Sequence, residues 1–219
     1  MRTLTGMLAM LSIIETLRQR IGQVRPDLGH FETHSIIDEL LPGKRIQRGS
    51  LVELLGGGTR LAVTLARESL RADGAIVAID TERRFYPPAA VRMGIELDRL
   101  IVVQPDRPDW IVTQALACSA IDAVLCWPQK IDGTMFRRWQ LAAERGGSVG
   151  LLVRPLAARG SPSWADVRLL VEPQAANHWR IQSVNGPALE IAIDDEGRIH
   201  ESVRVVPQLA NSATAQRAT

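Results

Sequence analysis

A run of three glycines lies between a short apolar segment and a stretch of helix-forming residues, which is where a phosphate-binding loop is placed. The apolar segment is Leu51–Leu55. The loop residues that follow it are Gly56, Gly57, Gly58, Thr59 and Arg60. A loop of this kind wraps backbone N–H groups around phosphates, and it supplies a lysine and a Ser/Thr hydroxyl for the β- and γ-phosphates and Mg²⁺. The loop here contains no lysine and is too short for the pattern of glycine, four residues and then Gly-Lys-Ser/Thr.

The two lysines of the chain lie outside this loop. Lys44 precedes the apolar segment, and Lys130 follows a different one. Arg60 is charged, but a planar guanidinium on a long stem does not reproduce a compact ammonium group inside a phosphate cradle. We therefore expect no catalytic residue, no cofactor and no metal. The glycines before a helix N-terminus still form a weak, generic anion site.

The elements that position this loop alternate regularly between strand and helix. The strand segments are 51–55, 75–80, 100–104, 122–127 and 148–153, and the helical segments are 60–72, 87–94, 108–120 and 134–145. Short, continuous apolar strands that alternate with helices indicate a mainly parallel sheet covered by helices on both faces. The predicted fold class is therefore α/β.

The pattern changes after Pro155. Three strand-like segments, "ADVRLLVEP", "HWRIQSV" and "ALEIAID", follow a loop of small residues, and Asn185-Gly186 separates the last two. An Asn-Gly pair between strands is a hairpin signal, so the sheet is expected to finish in an antiparallel C-terminal hairpin. We assign residues 35–155 to the core and residues 156–206 to strands that complete the sheet. Residues 207–219 are small and polar, which predicts a disordered tail.

Residues 1–34 are predicted to form an amphipathic helix and a linker. The apolar positions recur at steps of three and four residues, and they are Met7, Met10, Ile14, Leu17 and Ile21. Such a helix needs a partner surface, either on its own domain or on another subunit or protein. Glu15 interrupts the apolar start and no cleavage site follows it, which argues against a signal peptide.

The composition fits an ordinary soluble, cytoplasmic domain. The chain has 219 residues, 46% of them hydrophobic and 23% charged, with a net charge of +2, which gives no whole-chain electrostatic case for nucleic acid. Cys118 and Cys126 lack metal-ligand or CxxC spacing, so they are expected to be reduced core residues. No stretch is long enough to span a membrane. The His30/His34 pair has helical spacing for a metal, but Gly29 and the linker favour a chance pairing.

Several sequence segments of the chain resemble corresponding segments of proteins with the RecA-like fold. "SIIDELLPGKRIQRGSLVELLGGG" resembles the run before the phosphate loop, and "AIVAIDTE" resembles the second core strand that ends near the catalytic glutamate. "AVRMGIELDRLIVVQPD" is similar to the following helix, turn and strand, and "SAIDAVLCW" occupies the place of the Walker B strand. The resemblance covers about residues 35–155 and implies a RecA-like P-loop NTPase fold.

The resemblance also implies what has happened to the nucleotide site. The loop is about four residues shorter than that of RecA and has no Walker A lysine, and the slot of the Walker B aspartate holds Trp127. Glu82 matches the place of the catalytic glutamate, either as a vestigial base or as a solvated residue at a strand end. The resemblance therefore implies a pseudo-ATPase. Trp127 is expected to plug the empty site near Gly56–Gly58 and Arg60, or alternatively to act as a binding anchor at its rim.

Beyond the core, the chain looks most like the RecA-like accessory proteins of bacterial mutagenesis cassettes, the ImuA type. "RRWQLAAERGGSVGLLVRP" and the aromatic-Arg strand "HWRIQSV" carry this resemblance. It implies a non-catalytic role by protein–protein contact in SOS-induced translesion DNA synthesis, which is part of DNA repair. The implied partners are a translesion polymerase homologue and the error-prone replicative polymerase of the cassette, with RecA and self-association as further candidates and direct DNA binding left open.

Arginines beside aromatic residues are the candidates for such contacts. Arg83 and Arg84 follow a strand at the edge where open α/β sheets place their ligands. Trp179 belongs to the predicted hairpin, and Arg137 and Arg138 are either contact residues or a solvated helix face. Two other functions stay open. One is a RecA-related regulator of recombination or cell division in the SOS response, and the other is a weakly active DNA-dependent ATPase.

Overall fold

A computed structural model describes residues 29–31, 35–41, 44–184 and 186–201. The predicted N-terminal helix with Met7 to Ile21 and the predicted tail 207–219 lie outside the described residues. So do His34 of the histidine pair and Asn185 of the predicted turn. The predicted domain bounds therefore stay predictions at both ends of the chain.

The described strands and helices follow the predicted alternation. The strands are β1 (His30–Phe31), β2 (Ile46–Gln47), β3 (Leu51–Leu55), β4 (Ala75–Ile79), β5 (Leu100–Val103), β6 (Ile121–Cys126), β7 (Val149–Arg154), β8 (Val167–Ala175), β9 (His178–Ser183), β10 (Ala188–Ile193) and β11 (Ile199–Glu201). The α-helices are α1 (Ser35–Asp38), α2 (Thr59–Glu68), α3 (Pro87–Arg92), α4 (Pro108–Leu116) and α5 (Gly133–Gly146). Two 3₁₀ helices, Leu97–Arg99 and Leu156–Gly160, complete the described elements.

One nine-stranded sheet organises the chain, in the order β11-β10-β9-β8-β3-β7-β6-β4-β5. The strands from β8 to β5 in this order run parallel to one another, whereas β8, β9, β10 and β11 pair antiparallel. The predicted α/β fold with a mainly parallel sheet and an antiparallel C-terminal hairpin is confirmed. A separate two-stranded sheet joins β1 to β2.

Helices cover both faces of the sheet, because apolar residues of the central strands are buried on either side. Val52 and Leu54 of β3 belong to the core that α2 and α3 cover, whereas Leu51 belongs to the core that α4 and α5 cover. Since successive strand residues point to opposite faces, a continuous apolar run is the pattern that two covered faces require.

Two predicted helices end four residues earlier than their sequences suggested. Helix α2 ends at Glu68 instead of residue 72, because the buried Asp122 carboxylate accepts hydrogen bonds from the backbone N–H and the Nε of Arg71. Helix α4 ends at Leu116 instead of residue 120, where the N–H of Cys118 turns back to the carbonyl of Ala115. Strand β11 was not predicted, because it contributes only three residues to the sheet edge.

Candidate functional site

The carboxyl ends of the parallel strands bring the glycine loop, the turn after β4 and the segment after β6 to one edge of the sheet. Open α/β sheets bind their ligands at this edge. The structure thus places together most of the site residues predicted from the sequence. How each of them is engaged decides what the site can do.

The glycine loop is held tightly against the neighbouring strands. Gly56 and Gly57 have φ of 102° and 119°, a backbone conformation that favours glycine. A Cβ on Gly56 would lie 2.7 Å from the carbonyl oxygen of Val171 in β8. The Gly56 N–H donates to the Arg154 carbonyl over 3.0 Å, so this donor is already used by the protein.

Trp127 lies directly after β6 and contacts the start of α2. Its indole Nε1 donates a hydrogen bond to Oγ1 of Thr59 over 3.0 Å, and its ring packs at 5.5 Å from the ring of Phe85. Trp127 and Phe85 are partly buried and both pack against the core between the sheet and α2. The indole therefore lies beside the first helical residue after the glycine loop. In a phosphate loop, a Ser/Thr hydroxyl at the start of the helix faces the metal.

The turn after β4 presents the predicted acidic and basic residues to solvent. Asp80 is buried, and its Oδ2 accepts the Phe85 N–H over 2.8 Å, which closes the turn. Arg83 has a φ of 57° within this turn, and Arg84 forms an exposed ion pair with Glu82 at 2.6 Å. Glu82 also accepts a hydrogen bond of 3.4 Å from Gln129. Glu82 thus reaches the segment that carries Trp127.

Arg60 is engaged by the C-terminal strands and not by the glycine loop. Its Nη1 donates to the carbonyls of Ile193 and Asp194 over 3.2 and 2.8 Å, and it forms an ion pair with Asp195 at 3.0 Å. The guanidinium also lies 5.5 Å from the centre of the Trp179 ring. Trp179 is partly buried there, so Arg60 joins the start of α2 to β9 and to the β10–β11 turn. The expected packing of Trp127 near Arg60 stays a prediction.

A cleft of about 260 Å³ remains beside the start of α2. Its walls include Thr59 and Arg60 from α2, Arg84 and Tyr86 from the turn after β4, and Arg92 from α3. Tyr86 is 63% exposed, so the cleft combines an accessible aromatic ring with cationic side chains. The lining also includes the acidic Asp195 and the apolar Val63 and Met93, so the cleft presents groups of mixed character.

A buried carboxylate lies under this edge of the sheet. Glu53, in the middle of β3, forms ion pairs with Arg154 of β7 and Arg168 of β8. The side chains of Glu53 and Arg154 are 0% and 2% exposed. Sequence reasoning missed this cluster, although a glutamate within the apolar run "LVELL" was a usable signal.

The buried Cys126 thiol at the end of β6 is not set up as a nucleophile. Burial raises the pKa of the Cys126 thiol, and the Asp109 carboxylate adds to this effect while Arg154 opposes it. This thiol is therefore protonated at neutral pH and a poor nucleophile.

In the described part of the chain, no three His, Cys, Asp or Glu side chains come together as a metal site. Among the described helices, none combines the length and apolarity needed to cross a bilayer.

The other sequence candidates divide between core and surface. Trp139 is buried, and its indole donates to the Asp109 carbonyl over 3.3 Å, whereas Arg137 and Arg138 on the same helix are exposed. Both cysteines are buried and free, in agreement with the prediction of reduced core residues. His30 lies near Arg45, with a ring nitrogen 3.3 Å from its guanidinium.

Comparison with known proteins agrees with this architecture. The family model of the MT3502 N-terminal domain matches residues 39–159. The chain is 33% identical to RecA of Rhodopirellula baltica over 128 residues, which is 54% of this chain and 33% of that RecA. It is 32% identical to RecA of Acidothermus cellulolyticus and 34% identical to RecA of Kineococcus radiotolerans, each over 62% of this chain and 41% of the RecA.

The chain spans between a third and about two fifths of the length of these RecA proteins. The matched family segment, in contrast, covers more than half of the 219 residues and runs from the end of α1 to the 3₁₀ helix after β7. The chain therefore belongs to the family of the MT3502 N-terminal domain, and its core is RecA-like.

Proposed function

We propose that this chain is a non-catalytic, RecA-like accessory protein that acts by protein–protein contact in DNA repair, in SOS-induced translesion synthesis. The observation that carries the proposal is the hydrogen bond from Trp127 to Thr59. The hydroxyl that would face Mg²⁺ in a nucleotide site is instead bonded to an indole, which offers no metal ligand.

Three further contacts support the absence of catalysis. The Gly56 N–H is bonded to the Arg154 carbonyl, and Arg60 is bonded to the β10–β11 turn. Glu82 is paired with Arg84 at the surface. A general base without a bound phosphate and metal has no reaction to assist. The residues that would do chemistry in an ATPase are here occupied by contacts within the protein.

Exposed arginines beside aromatic residues support action by contact. Arg83, Arg84 and Tyr86 project from the turn after β4 at the ligand-binding edge of the sheet. Arginine and tyrosine are enriched among the residues that dominate protein–protein binding energies. We place the contact with the translesion polymerase homologue at this turn, and the C-terminal strands around Trp179 are a second candidate surface.

The test is a binding measurement between the purified full chain and the translesion polymerase homologue of a mutagenesis cassette. We expect a complex whose affinity is the same with and without ATP and Mg²⁺, and at least about tenfold weaker for Arg83→Glu/Arg84→Glu. Arg159→Glu, an exposed arginine of the 3₁₀ helix after β7, is the matched control. A complex that requires ATP, or no complex at all, would overturn the proposal.

A further inference from the structure

A groove of about 670 Å³ runs between α4 and α5 on the face of the sheet away from α2. One wall is formed by Thr113, Gln114 and Ala117, and the other by Arg138, Leu141 and Arg145. The three residues of the second wall are spaced at i, i+3 and i+7, so they form one stripe along α5. No residue that lines the groove is acidic.

Two contacts between the helices fix the width of the groove. A Cβ on Gly146 would lie 2.1 Å from the carbonyl oxygen of Leu116, so only glycine permits the close approach at the C-terminal ends of the helices. At the other end, the Trp139 indole donates to the carbonyl of Asp109. Because the walls are held by buried contacts, the groove is formed before any partner binds, which lowers the entropic cost of binding.

The stripe on α5 combines an exposed apolar side chain with two arginines. Leu141 is 43% exposed, and Arg138 and Arg145 are also exposed. Within the described residues, neither Arg138 nor Arg145 has an ion-pair partner. Their neighbour Arg137 differs, because it donates to Gln140 over 2.6 Å and lies 5.5 Å from the Trp164 ring centre.

We propose that this groove docks an acidic amphipathic helix of a partner protein. Arg138 and Arg145 are separated by two helical turns, which is about 10 Å along the axis. A facing helix with carboxylates seven residues apart and an apolar residue between them matches both charges and covers Leu141. A nucleic-acid backbone would match the charges but would leave Leu141 without an apolar partner.

This inference rests on the proposed contact function for its biological purpose and deepens it by naming a second surface and the chemistry of its partner. The proposed function and the proposed groove can be refuted independently of each other. The polymerase complex above is tested at Arg83 and Arg84 with Arg159 as the unaffected control, whereas the groove is tested with a peptide and with α5 variants.

The test uses the full chain and a fluorescent 16-residue peptide, designed to be helical with glutamates seven residues apart and leucines between them. Anisotropy should show saturable binding that is at least about tenfold weaker for Arg138→Glu and for Leu141→Glu. Arg138→Gln should give a smaller loss, and Arg159→Glu in the 3₁₀ helix after β7 should change nothing. All variants should melt at the wild-type temperature, since the changed side chains are exposed.

Three results would overturn the proposal. One is the absence of saturable peptide binding up to about 1 mM. Another is equal binding by wild type and the α5 variants. The third is Arg138-dependent binding of an oligothymidylate in preference to the peptide, which would assign the groove to single-stranded nucleic acid.

Discussion

Trp127 and Thr59 are 68 residues apart in the chain and are joined by a 3.0 Å hydrogen bond from the indole Nε1 to Oγ1. The bond links the end of β6 to the first residue of α2, across the carboxyl edge of the sheet. With Phe85 packed against the indole, the protein's own side chains fill the part of this edge beside Thr59.

Replacing Trp127 by alanine should lower the free energy of unfolding by about 2–4 kcal/mol, somewhat less than for a fully buried aromatic residue. The lost indole leaves a cavity beside Phe85 and an unpaired Thr59 hydroxyl. Urea unfolding followed by circular dichroism measures the loss. Trp164→Ala is the matched control, because Trp164 is 50% exposed, and it should cost less than about 1 kcal/mol. An unchanged stability for Trp127→Ala would mean that the indole is a rim anchor and not a plug.

Arg60 should act as a tether for the β10–β11 turn. Arg60→Met removes the hydrogen bonds to Ile193 and Asp194 and should cost about 1–2 kcal/mol, a modest value because the side chain is 30% exposed. Amide hydrogen exchange in residues 194–199 should become faster by about tenfold or more, with little change in β6. Arg92→Met alters an exposed arginine of the same cleft and should leave this exchange unaffected. Uniform acceleration across the sheet would contradict a local tether.

Removing only Glu53 from its cluster should lower the free energy of unfolding strongly, whereas replacing the buried ion pair by apolar residues should lower it much less. Glu53→Ala leaves Arg154 and Arg168 without their carboxylate and should destabilise the protein by about 3–5 kcal/mol. The double variant Glu53→Leu/Arg154→Met removes both fully buried charges and should recover much of that loss. Chemical denaturation of the two variants, with the exposed Glu144→Ala as control, gives the comparison. A loss below about 1 kcal/mol for Glu53→Ala would show that the cluster carries little stability.

The turn closed by Asp194 should weaken in acid. The hydrogen bond from His200 is the main cause that lowers the pKa of Asp194, and the backbone N–H of Arg198 adds to it. Because this pKa is lower in the folded state, the carboxylate stabilises the turn above its ordinary pKa of about 4 and loses this effect as the pH falls through the folded value. The difference in unfolding free energy between wild type and Asp194→Ala should therefore have its full size at about pH 6 and should shrink below about pH 4. A difference at about pH 2 that is as large as the difference at pH 6 would contradict the assignment.

The sheet was predictable from the sequence because its central strands are buried on both faces. The apolar runs at β3 and β7 mark their strands within one residue, and Asn185-Gly186 indicates the hairpin between β9 and β10. Such signals are local, because the apolar pattern of each strand depends only on the residues of that strand.

The contacts that decide the state of the site were less predictable because they join distant segments. Arg60 reaches Asp194, which is 134 residues further along the chain. The end of α2 depends on Asp122, which is 51 residues beyond Arg71. Trp127 could be placed near the glycine loop only because the order of strands was inferred, and neither Phe85 nor Thr59 carries a local signal for its contact with the indole.

Isothermal titration of the full chain with ATP in the presence of Mg²⁺ tests the central claim most directly. With the Thr59 hydroxyl bonded to Trp127 and Arg60 bonded to the β10–β11 turn, we predict no saturable binding tighter than about 1 mM, or roughly 4 kcal/mol. We also predict no ATP hydrolysis above background. Micromolar, Mg²⁺-dependent binding that disappears in Gly58→Val or Arg60→Met would contradict the account.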